Sequence, residues 1–229
     1  MENWAITAVT VDDAPALARN NGTAFWEEPM WRMLWPKDKS REFIIENLAK
    51  ILQRRLISDR ETTRHQKLVD RHTGSLLGYS RWRFPEPTTE WLDAQVPDTD
   101  SRRKRQILEA AESTWWEPRQ DLEPLDSKND RVAERILAER PYLKLDYLAV
   151  HPEHQGQGIA TTLVRAGILE AERIGLPIFV FAYKAARSIY LKLGFTEVAS
   201  VFQDDTAYGG CGAYAVFFMV YDIDPTDSD

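Results

Sequence analysis

Two glycines in a turn between a strand and a helix are the residues of this sequence best placed to do chemistry. Gly156 and Gly158 follow the apolar segment Leu143–Val150 and precede Ile159–Ile174, in which apolar residues recur with a helical period. The first N–H groups of a helix lack partners inside the helix, so they attract anions. Glycine has no Cβ and lets a phosphate approach the backbone closely. The segment therefore predicts a phosphate-binding turn, against the alternative of a turn that only links strand to helix.

The spacing around these glycines excludes two common phosphate-binding motifs. Thr161 occupies the position of the third glycine in the dinucleotide fingerprint, and the turn lacks the Gly-Lys-Ser/Thr ending of a P-loop. The pattern that remains is Gln155-x-x-Gly158-x-Ala160. It directly follows the strand that ends at Val150.

A second motif stands downstream and reads Ala186-x-x-Ile189-Tyr190-x-x-x-Gly194-Phe195. In this order and at this separation, the two motifs resemble the acetyl-CoA-binding signature Q/R-x-x-G-x-G/A and the later A-x-x-L-Y-x-x-x-G-F segment of the GNAT superfamily of N-acetyltransferases. The resemblance is close over residues 143–198 and looser over residues 4–84. It does not extend to residues 85–140.

The resemblance implies acetyl-CoA as the acyl donor. In the family, the strand before the glycine turn splays from the next parallel strand, and its free backbone groups pair with the pantetheine arm as an added strand would. Leu148 and Val150 would make these contacts, with the Leu148 N–H polarising the thioester carbonyl. One departure is Tyr183, which stands where the family often has an asparagine that bonds the pantetheine. The pyrophosphate would be held by the backbone amides of Gln155, Gly156, Gln157, Gly158, Ile159, Ala160 and Thr161.

Acid–base groups are the other requirement of such a reaction. The resemblance implies that Tyr190 protonates the departing thiolate, with simple aromatic packing as the alternative. The acceptor amine must lose a proton before attack, because an ammonium ion has no lone pair. Asp146 lies two residues before Leu148, hence on the same expected strand face, and is a candidate proton acceptor; a structural aspartate is the alternative. Glu27 and Glu28 are alternative bases or substrate-binding groups for the amine.

The elements that must position these residues follow from apolar periodicity and turn signals. An opening strand is predicted at 4–11, then a helix ended by Asn20-Asn21-Gly22, an aromatic loop, a helix from Ser40 to Ile57 and a hairpin up to Phe84. After residue 142 we expect strands at 143–150, 177–181, 195–202 and 213–223, helices at 159–174 and 185–193, and a frayed acidic tail at 222–229.

Together with the resemblance, these elements lead us to expect one N-acetyltransferase domain over residues 1–229, of the α/β (α+β) class. The expected sheet is mixed and mostly antiparallel, with helices on both faces. Residues of about 85–140 form a helical or irregular insertion, with short helices near 107–115 and 130–140 and no separate core of their own.

Composition and charge narrow the function classes. The chain has 229 residues and a net charge of −7, and an acidic surface repels phosphate backbones, which disfavours nucleic-acid binding and favours cationic partners. Cys211 is the only cysteine and the four histidines lack metal-binding spacing, so no metal is predicted. No apolar run approaches the roughly 20 residues of a membrane span, and no signal-peptide pattern opens the sequence. We expect a cytoplasmic protein with neither a nucleic-acid nor a membrane partner.

The function expected from these features is transfer of acetyl from acetyl-CoA to a primary amine by direct attack in a ternary complex. The expected acceptor is a small molecule. The alternatives are acetylation of a protein or peptide, and a non-catalytic acyl-CoA sensor. A pocket closed by Trp26, Trp31 and Trp35 would favour the small molecule, whereas an open acidic groove would favour a peptide. The oligomeric state is left open, with a homodimer as one alternative.

Overall fold

A single sheet of seven strands organises the protein, which a computed structural model describes over residues 3–223. The strand order is β1-β2-β3-β4-β5-β7-β6, and every neighbouring pair is antiparallel except the parallel pair β4 and β5. The expected mixed, mostly antiparallel sheet is confirmed. Most of the tail expected to fray lies outside the described residues. The strands are β1 Trp4–Ala8, β2 Thr63–Asp70, β3 Leu76–Arg83, β4 Leu143–Val150, β5 Ile178–Tyr183, β6 Thr196–Asp204 and β7 Ala213–Tyr221.

Helices cover both faces of the sheet. On one face, Leu17 and Leu52 from the first and third helices pack in a cluster with Tyr79 of β3. On the other face, Val164 of the sixth helix packs with Trp82 of β3. Within residues 3–223, no helix is both long and apolar enough to cross a membrane. The helices are α1 Ala14–Trp26, α2 Pro29–Met33, α3 Arg41–Ile57, α4 Ser101–Glu112, α5 Glu123–Leu137, α6 Ile159–Ile174 and α7 Lys184–Lys192.

The first helix is longer than the sequence predicts. The expectation that Asn20-Asn21-Gly22 ends it is wrong, because α1 continues to Trp26. Asn20 is buried and its Nδ2 donates a hydrogen bond to the Ala149 carbonyl of β4 at 3.3 Å. A Cβ on Gly22 would lie 2.5 Å from the Ile45 side chain, so glycine here permits the close approach of α1 to α3. The longer helix carries Phe25 and Trp26 towards the open end of β4.

The segment between β3 and β4 contains two helices that begin earlier than expected. Helix α4 begins at Ser101, where the Asp100 carboxylate accepts a hydrogen bond from the Arg103 N–H at 2.9 Å. Helix α5 begins at Glu123 with Pro124 in its first turn. The first turn of α4 is polar, and the first turn of α5 has the single buried apolar residue Leu125 after a proline, so periodicity located only the C-terminal portions of both helices.

The tightest packing against the sheet occurs at Gly167 of α6. A Cβ there would lie 2.0 Å from the Trp82 ring, which is fully buried. Alanine favours a helix over glycine by about 1 kcal/mol, but overpacking costs roughly 1–3 kcal/mol and occasionally more. We expect Gly167→Ala to lower the free energy of unfolding by about 2 kcal/mol, measured by urea denaturation.

Trp82→Phe supplies the control for this prediction. The smaller ring removes the atoms that the new methyl group would meet, so the double variant should lose less stability than the two single variants added together. Strict additivity of the two substitutions would contradict the predicted clash.

Candidate functional site

The two parallel strands of the sheet diverge at their carboxyl ends. Strands β4 and β5 pair only at three positions, and the last pair is Leu145 with Val180. Beyond it β4 stays paired to β3 as far as Val150, and β5 stays paired to β7 as far as Tyr183. The gap between them opens into a cavity of about 650 Å³, here called the cleft.

The backbone of β4 presents free donors to this gap. His151 N donates to the Leu77 carbonyl of β3 at 3.2 Å. Because successive N–H groups of a strand point to opposite sides, the N–H groups of Leu148 and Val150 point away from β3 and into the gap. The Val150 carbonyl on that side accepts a hydrogen bond from Gln155 Nε2 at 3.3 Å. The divergence therefore leaves a strand edge with unpaired donors inside the protein, which suits an extended ligand.

The glycine turn forms one end of the cleft. Gly156 has φ +73° and Gly158 has φ +88°, and both lack neighbours within 4 Å of an added Cβ. Gly158 is the N-cap of α6 and offers no side chain to the first N–H groups of the helix. These N–H groups face open space, so an anion can reach them without displacing protein atoms.

Most of the sequence-predicted site residues meet at this cleft. Two of them do not line it: Glu27 is exposed, and Gln157 is exposed with its Nε2 donating to the Glu153 carbonyl at 3.3 Å. The predicted residues that line the cleft are Glu28, Asp146, Leu148, Val150, Gln155, Gly156, Gly158, Ile159, Ala160, Thr161 and Tyr190.

Sequence reasoning missed several lining residues. Ala182 and Phe181 line the cleft from β5, and Phe25 and Ala24 line it from the end of α1. The β5 residues could have been found, because they end the parallel strand beside the glycine turn. Phe25 could not, since the predicted helix stopped too early.

Asp146 occupies a bulge rather than a regular strand position. The register of β3 and β4 shifts between the pairs Arg81–Tyr147 and Trp82–Leu145, so β4 carries one extra residue there. A bulge breaks the two-residue alternation of side chains. The expectation that Asp146 shares a strand face with the residue two positions later is therefore wrong.

The side chain of Asp146 is held in an ion pair. Its carboxylate lies 2.6 Å from the Arg81 guanidinium and 3.2 Å from Lys144 Nζ. Arg81 lies over the Tyr147 ring on the α1 and α3 side of the sheet, whereas Leu148 packs on the α6 side. Burial alone would raise the pKa of Asp146, but the two cations outweigh it and hold the pKa below its usual range. A carboxylate so stabilised is a poor proton acceptor.

Glu28 has the opposite electrostatic environment. Its carboxylate is half-buried in the cleft, and within residues 3–223 it has neither an ion pair nor a hydrogen bond. Burial raises the pKa of Glu28 above its ordinary value. Burial also raises the pKa of the nearby Tyr183 hydroxyl, and the negative charges of Glu28 and Asp126 raise it further. Glu28 and Tyr183 thus form an acidic corner of the cleft in which a cationic amine would be stabilised.

Tyr190 projects from α7 into the core beside the cleft. The residue is 3% exposed, and its ring packs on Phe195 with centroids 5.3 Å apart. Its hydroxyl has no hydrogen-bond partner anywhere in the described part of the chain. Burial raises the pKa of this hydroxyl, so it stays protonated at neutral pH and its O–H can donate a hydrogen bond, although it is a weaker acid than a free phenol.

A cluster of possible metal ligands lies next to the glycine turn, although the histidine spacing predicts none. One ligand atom from each of His151, Glu153 and His154 lies within 4.8 Å of the others. His151 Nδ1 already accepts a hydrogen bond from the Glu153 N–H at 3.4 Å. Exposed groups of this kind satisfy one another and water without an ion, so the cluster carries no metal assignment.

Comparison with known proteins shows what the segment around this cleft is similar to. Residues 126–197 match the family of the acetyltransferase (GNAT) domain, a segment that includes β4, the glycine turn, α6, β5 and α7. Three solved structures share the fold over nearly the whole chain, at sequence identities that establish the fold alone.

The first is a histone acetyltransferase and related acetyltransferase from Corynebacterium glutamicum, with TM-score 0.61, 16% identity and coverage of 98% of this chain and 99% of that chain. The second is arylalkylamine N-acetyltransferase 2 from Aedes aegypti, with TM-score 0.60, 12% identity and coverage of 97% and 100%. The third is the PaiA N-acetyltransferase from Thermoplasma acidophilum in complex with coenzyme A, with TM-score 0.50, 12% identity and coverage of 97% and 99%. The chain therefore contains a segment, residues 126–197, that matches the acetyltransferase (GNAT) domain family, within a fold that it shares with solved acetyltransferases.

Proposed function

We propose that this protein transfers an acetyl group from acetyl-CoA to the primary amine of a small molecule, by direct attack while both are bound. The observation that carries the proposal is the divergence of β4 and β5 after Leu145 and Val180, next to an unobstructed glycine turn. One end of the cleft suits a diphosphate and its strand edge suits an extended amide-containing arm. A relative of the same fold was solved with coenzyme A, and another is named for its arylalkylamine acceptor.

The donor would lie along the free edge of β4. The N–H groups of Leu148 and Val150 would bond to the arm and the thioester oxygen, and the N–H groups at the start of α6 would bond to the diphosphate. Holding the thioester against the amine can contribute on the order of 7–11 kcal/mol to lowering the barrier. Polarisation of the thioester carbonyl by the Leu148 N–H would contribute further.

The proton acceptor we propose is Glu28 rather than Asp146. Asp146 is neutralised by Arg81 and Lys144, whereas Glu28 is unpaired and its pKa is raised towards the working range of a base. In the reaction the amine nitrogen bonds to the acetyl carbon, the carbon–sulfur bond breaks, and the amine proton passes to Glu28 directly or through a water molecule. The departing thiolate takes a proton from Tyr190.

We expect Tyr190→Phe to lower kcat by about 100-fold, at the low end of general acid catalysis. The ring and its packing on Phe195 remain, so the dissociation constant of acetyl-CoA should change less than twofold, about the precision of a titration. Steady-state kinetics and calorimetry on the same preparation check this. Equal losses in turnover and in acetyl-CoA affinity would show that the hydroxyl has a structural role instead.

The acceptor side favours a small molecule over a peptide. Trp31 and Trp35 pack edge to face with centroids 5.3 Å apart, and Trp26 packs against Trp31 at 6.2 Å. None of the three tryptophans lines the cleft itself; Trp31 and Trp35 line a neighbouring cavity that shares Tyr147 with it, and their rings suit a compact amine with an apolar body.

The test is thiol release from acetyl-CoA in the presence of primary amines, amino acids, amino sugars and short peptides. Amine-dependent release of coenzyme A with at least one small amine, and formation of its N-acetyl product, is the expected result. Binding of acetyl-CoA without release by any acceptor would favour the sensor. Release with peptides alone would favour peptide acetylation.

A further inference from the structure

A second cavity lies next to the cleft and is walled by the segment between β3 and β4. It has a volume of about 500 Å³, within the range that holds a small organic ligand, and we call it the side cavity. Tyr147 of β4 lines both the side cavity and the cleft. A molecule in the side cavity would therefore lie one side chain away from the strand that we propose holds the thioester.

One part of the side cavity is aromatic and is formed by Trp31, Trp35, Trp116 and Tyr147. Trp35 is 3% exposed and packs against Trp116 with ring centroids 4.6 Å apart. Aromatic contacts continue from Trp31 towards the cleft. The ring centroid of Trp31 lies 6.2 Å from that of Phe25, and the centroid of Phe25 lies 4.8 Å from that of Tyr147. Such walls favour an apolar or aromatic body and exclude water when it is bound.

Arg55, in the last turn of α3, lines the side cavity without a partner. Within residues 3–223 its guanidinium makes no hydrogen bond, ion pair or cation–π contact, and the residue is exposed at the wall of the cavity. The other arginine of the cavity, Arg119, is already bound to both oxygens of Asp121 at 3.0 and 2.6 Å. Burial by the surrounding protein, and then the charge of Arg81, lower the pKa of Arg55. A ligand that fills the cavity would remove water from this guanidinium and must replace that water with an acceptor.

Carboxylates line the same cavity from α5. Asp126, Glu123 and Asp130 have no cation partner among the described residues, and Asp126 is close enough to Tyr183 to perturb its hydroxyl. Tyr183 belongs to the acidic corner of the cleft with Glu28. Carboxylates thus extend from the side cavity to the acidic corner of the cleft, where we propose that the acceptor amine binds. The unpaired positive charge of the side cavity is at Arg55.

We propose that the side cavity binds the acceptor and that Arg55 selects amines that also carry a carboxylate, such as amino acids. This inference rests on the proposed function. A ligand with one ammonium and one carboxylate pairs with both kinds of unpartnered charge, whereas a diamine would leave a desolvated cation beside Arg55. Arginine binds a carboxylate with two parallel hydrogen bonds, which gives the site both affinity and orientation.

The test compares amines that differ by one carboxylate: phenylalanine with phenethylamine, and lysine with cadaverine. For the wild-type protein we expect kcat/KM to be higher for the carboxylated member of at least one pair, on the order of 10- to 100-fold. Arg55→Met should remove that preference by lowering kcat/KM for the carboxylated amine, and it should not lower kcat/KM for the carboxylate-free amine, which no longer leaves a desolvated guanidinium unpaired. Arg54→Met is the matched control, because Arg54 is the adjacent arginine of α3 and lies outside the side cavity; it should change neither value.

A wild-type preference for the carboxylate-free amines would overturn the inference, and so would equal losses for both members in Arg55→Met. If none of the four compounds drives thiol release, calorimetry with coenzyme A present decides between the two proposals. Binding of a carboxylated amine that depends on Arg55 would support the side cavity while the proposed transfer fails. Absence of such binding would overturn the inference on Arg55 by itself.

Discussion

Glu28→Gln is expected to lower kcat/KM for amine acetylation by about 100-fold at neutral pH, because the amide cannot accept the proton of the attacking amine. Glutamine preserves the shape of the side chain and the half-buried position. The dissociation constant of acetyl-CoA should be unchanged, since Glu28 lies at the acceptor end of the cleft. Steady-state kinetics with a saturating donor and a titrated amine checks the loss.

The pH dependence of the acetylation rate tests the role of Glu28 as a base independently. A base must be ionised to act, and burial raises the pKa of Glu28 above its ordinary value. The wild-type rate should therefore fall as the pH drops through this raised pKa, and Glu28→Gln should lack that limb. Glu27→Gln is the matched control, because the structure leaves Glu27 exposed and outside the cleft. A loss of rate in Glu27→Gln as large as in Glu28→Gln would contradict the assignment.

Gly158→Asp is expected to weaken acetyl-CoA binding by at least roughly 100-fold, because the new carboxylate would stand where the diphosphate must approach. Gly158 has φ +88° and open space around an added Cβ, so the substituent enters the cleft and not the protein interior. Helix α6 would also lose its open N-terminus, since the new carboxylate can cap it. Calorimetric titration with acetyl-CoA measures the effect.

Backbone strain must be separated from the loss of the anion site. Gly175 closes the other end of α6 with φ +67°, also with nothing within 4 Å of an added Cβ. Gly175→Asp carries a similar backbone cost far from the cleft, and it should lose at least as much thermal stability as Gly158→Asp, because its carboxylate lies at the negative end of the helix dipole. Only Gly158→Asp should lose donor affinity. Equal affinities of the two variants would argue against diphosphate binding at this turn.

Local signals predicted the elements on either side of the glycine turn well. The bounds of β4 and α6 follow from the sequence alone, because Gly158 and Gly175 are glycines that adopt positive φ at either end of one amphipathic helix. The divergence of β4 and β5 came from resemblance to a family, since no pattern in either strand shows where their pairing stops.

Features that depend on contacts between residues far apart in the chain could not be predicted from the sequence. Asn20-Asn21-Gly22 has the composition of a helix end, yet its side chains and small glycine serve contacts with β4 and α3. The bulge at Asp146 depends on how β3 pairs with β4, which alternation along one strand cannot reveal. Arg55 occupies an ordinary place for a cation, near the C-terminus of a helix, and only the packing of the segment between β3 and β4 makes it part of a cavity wall.

The central claim is that the free edge of β4 binds the donor, and backbone amide hydrogen exchange at single-residue resolution tests it most directly. On addition of acetyl-CoA, the amides of Leu148 and Val150 should exchange markedly more slowly, while that of Ala149, which points towards β3, should keep its rate. Unchanged exchange at Leu148 and Val150 under conditions in which acetyl-CoA is bound, or a failure of acetyl-CoA to bind the folded protein, would contradict the account.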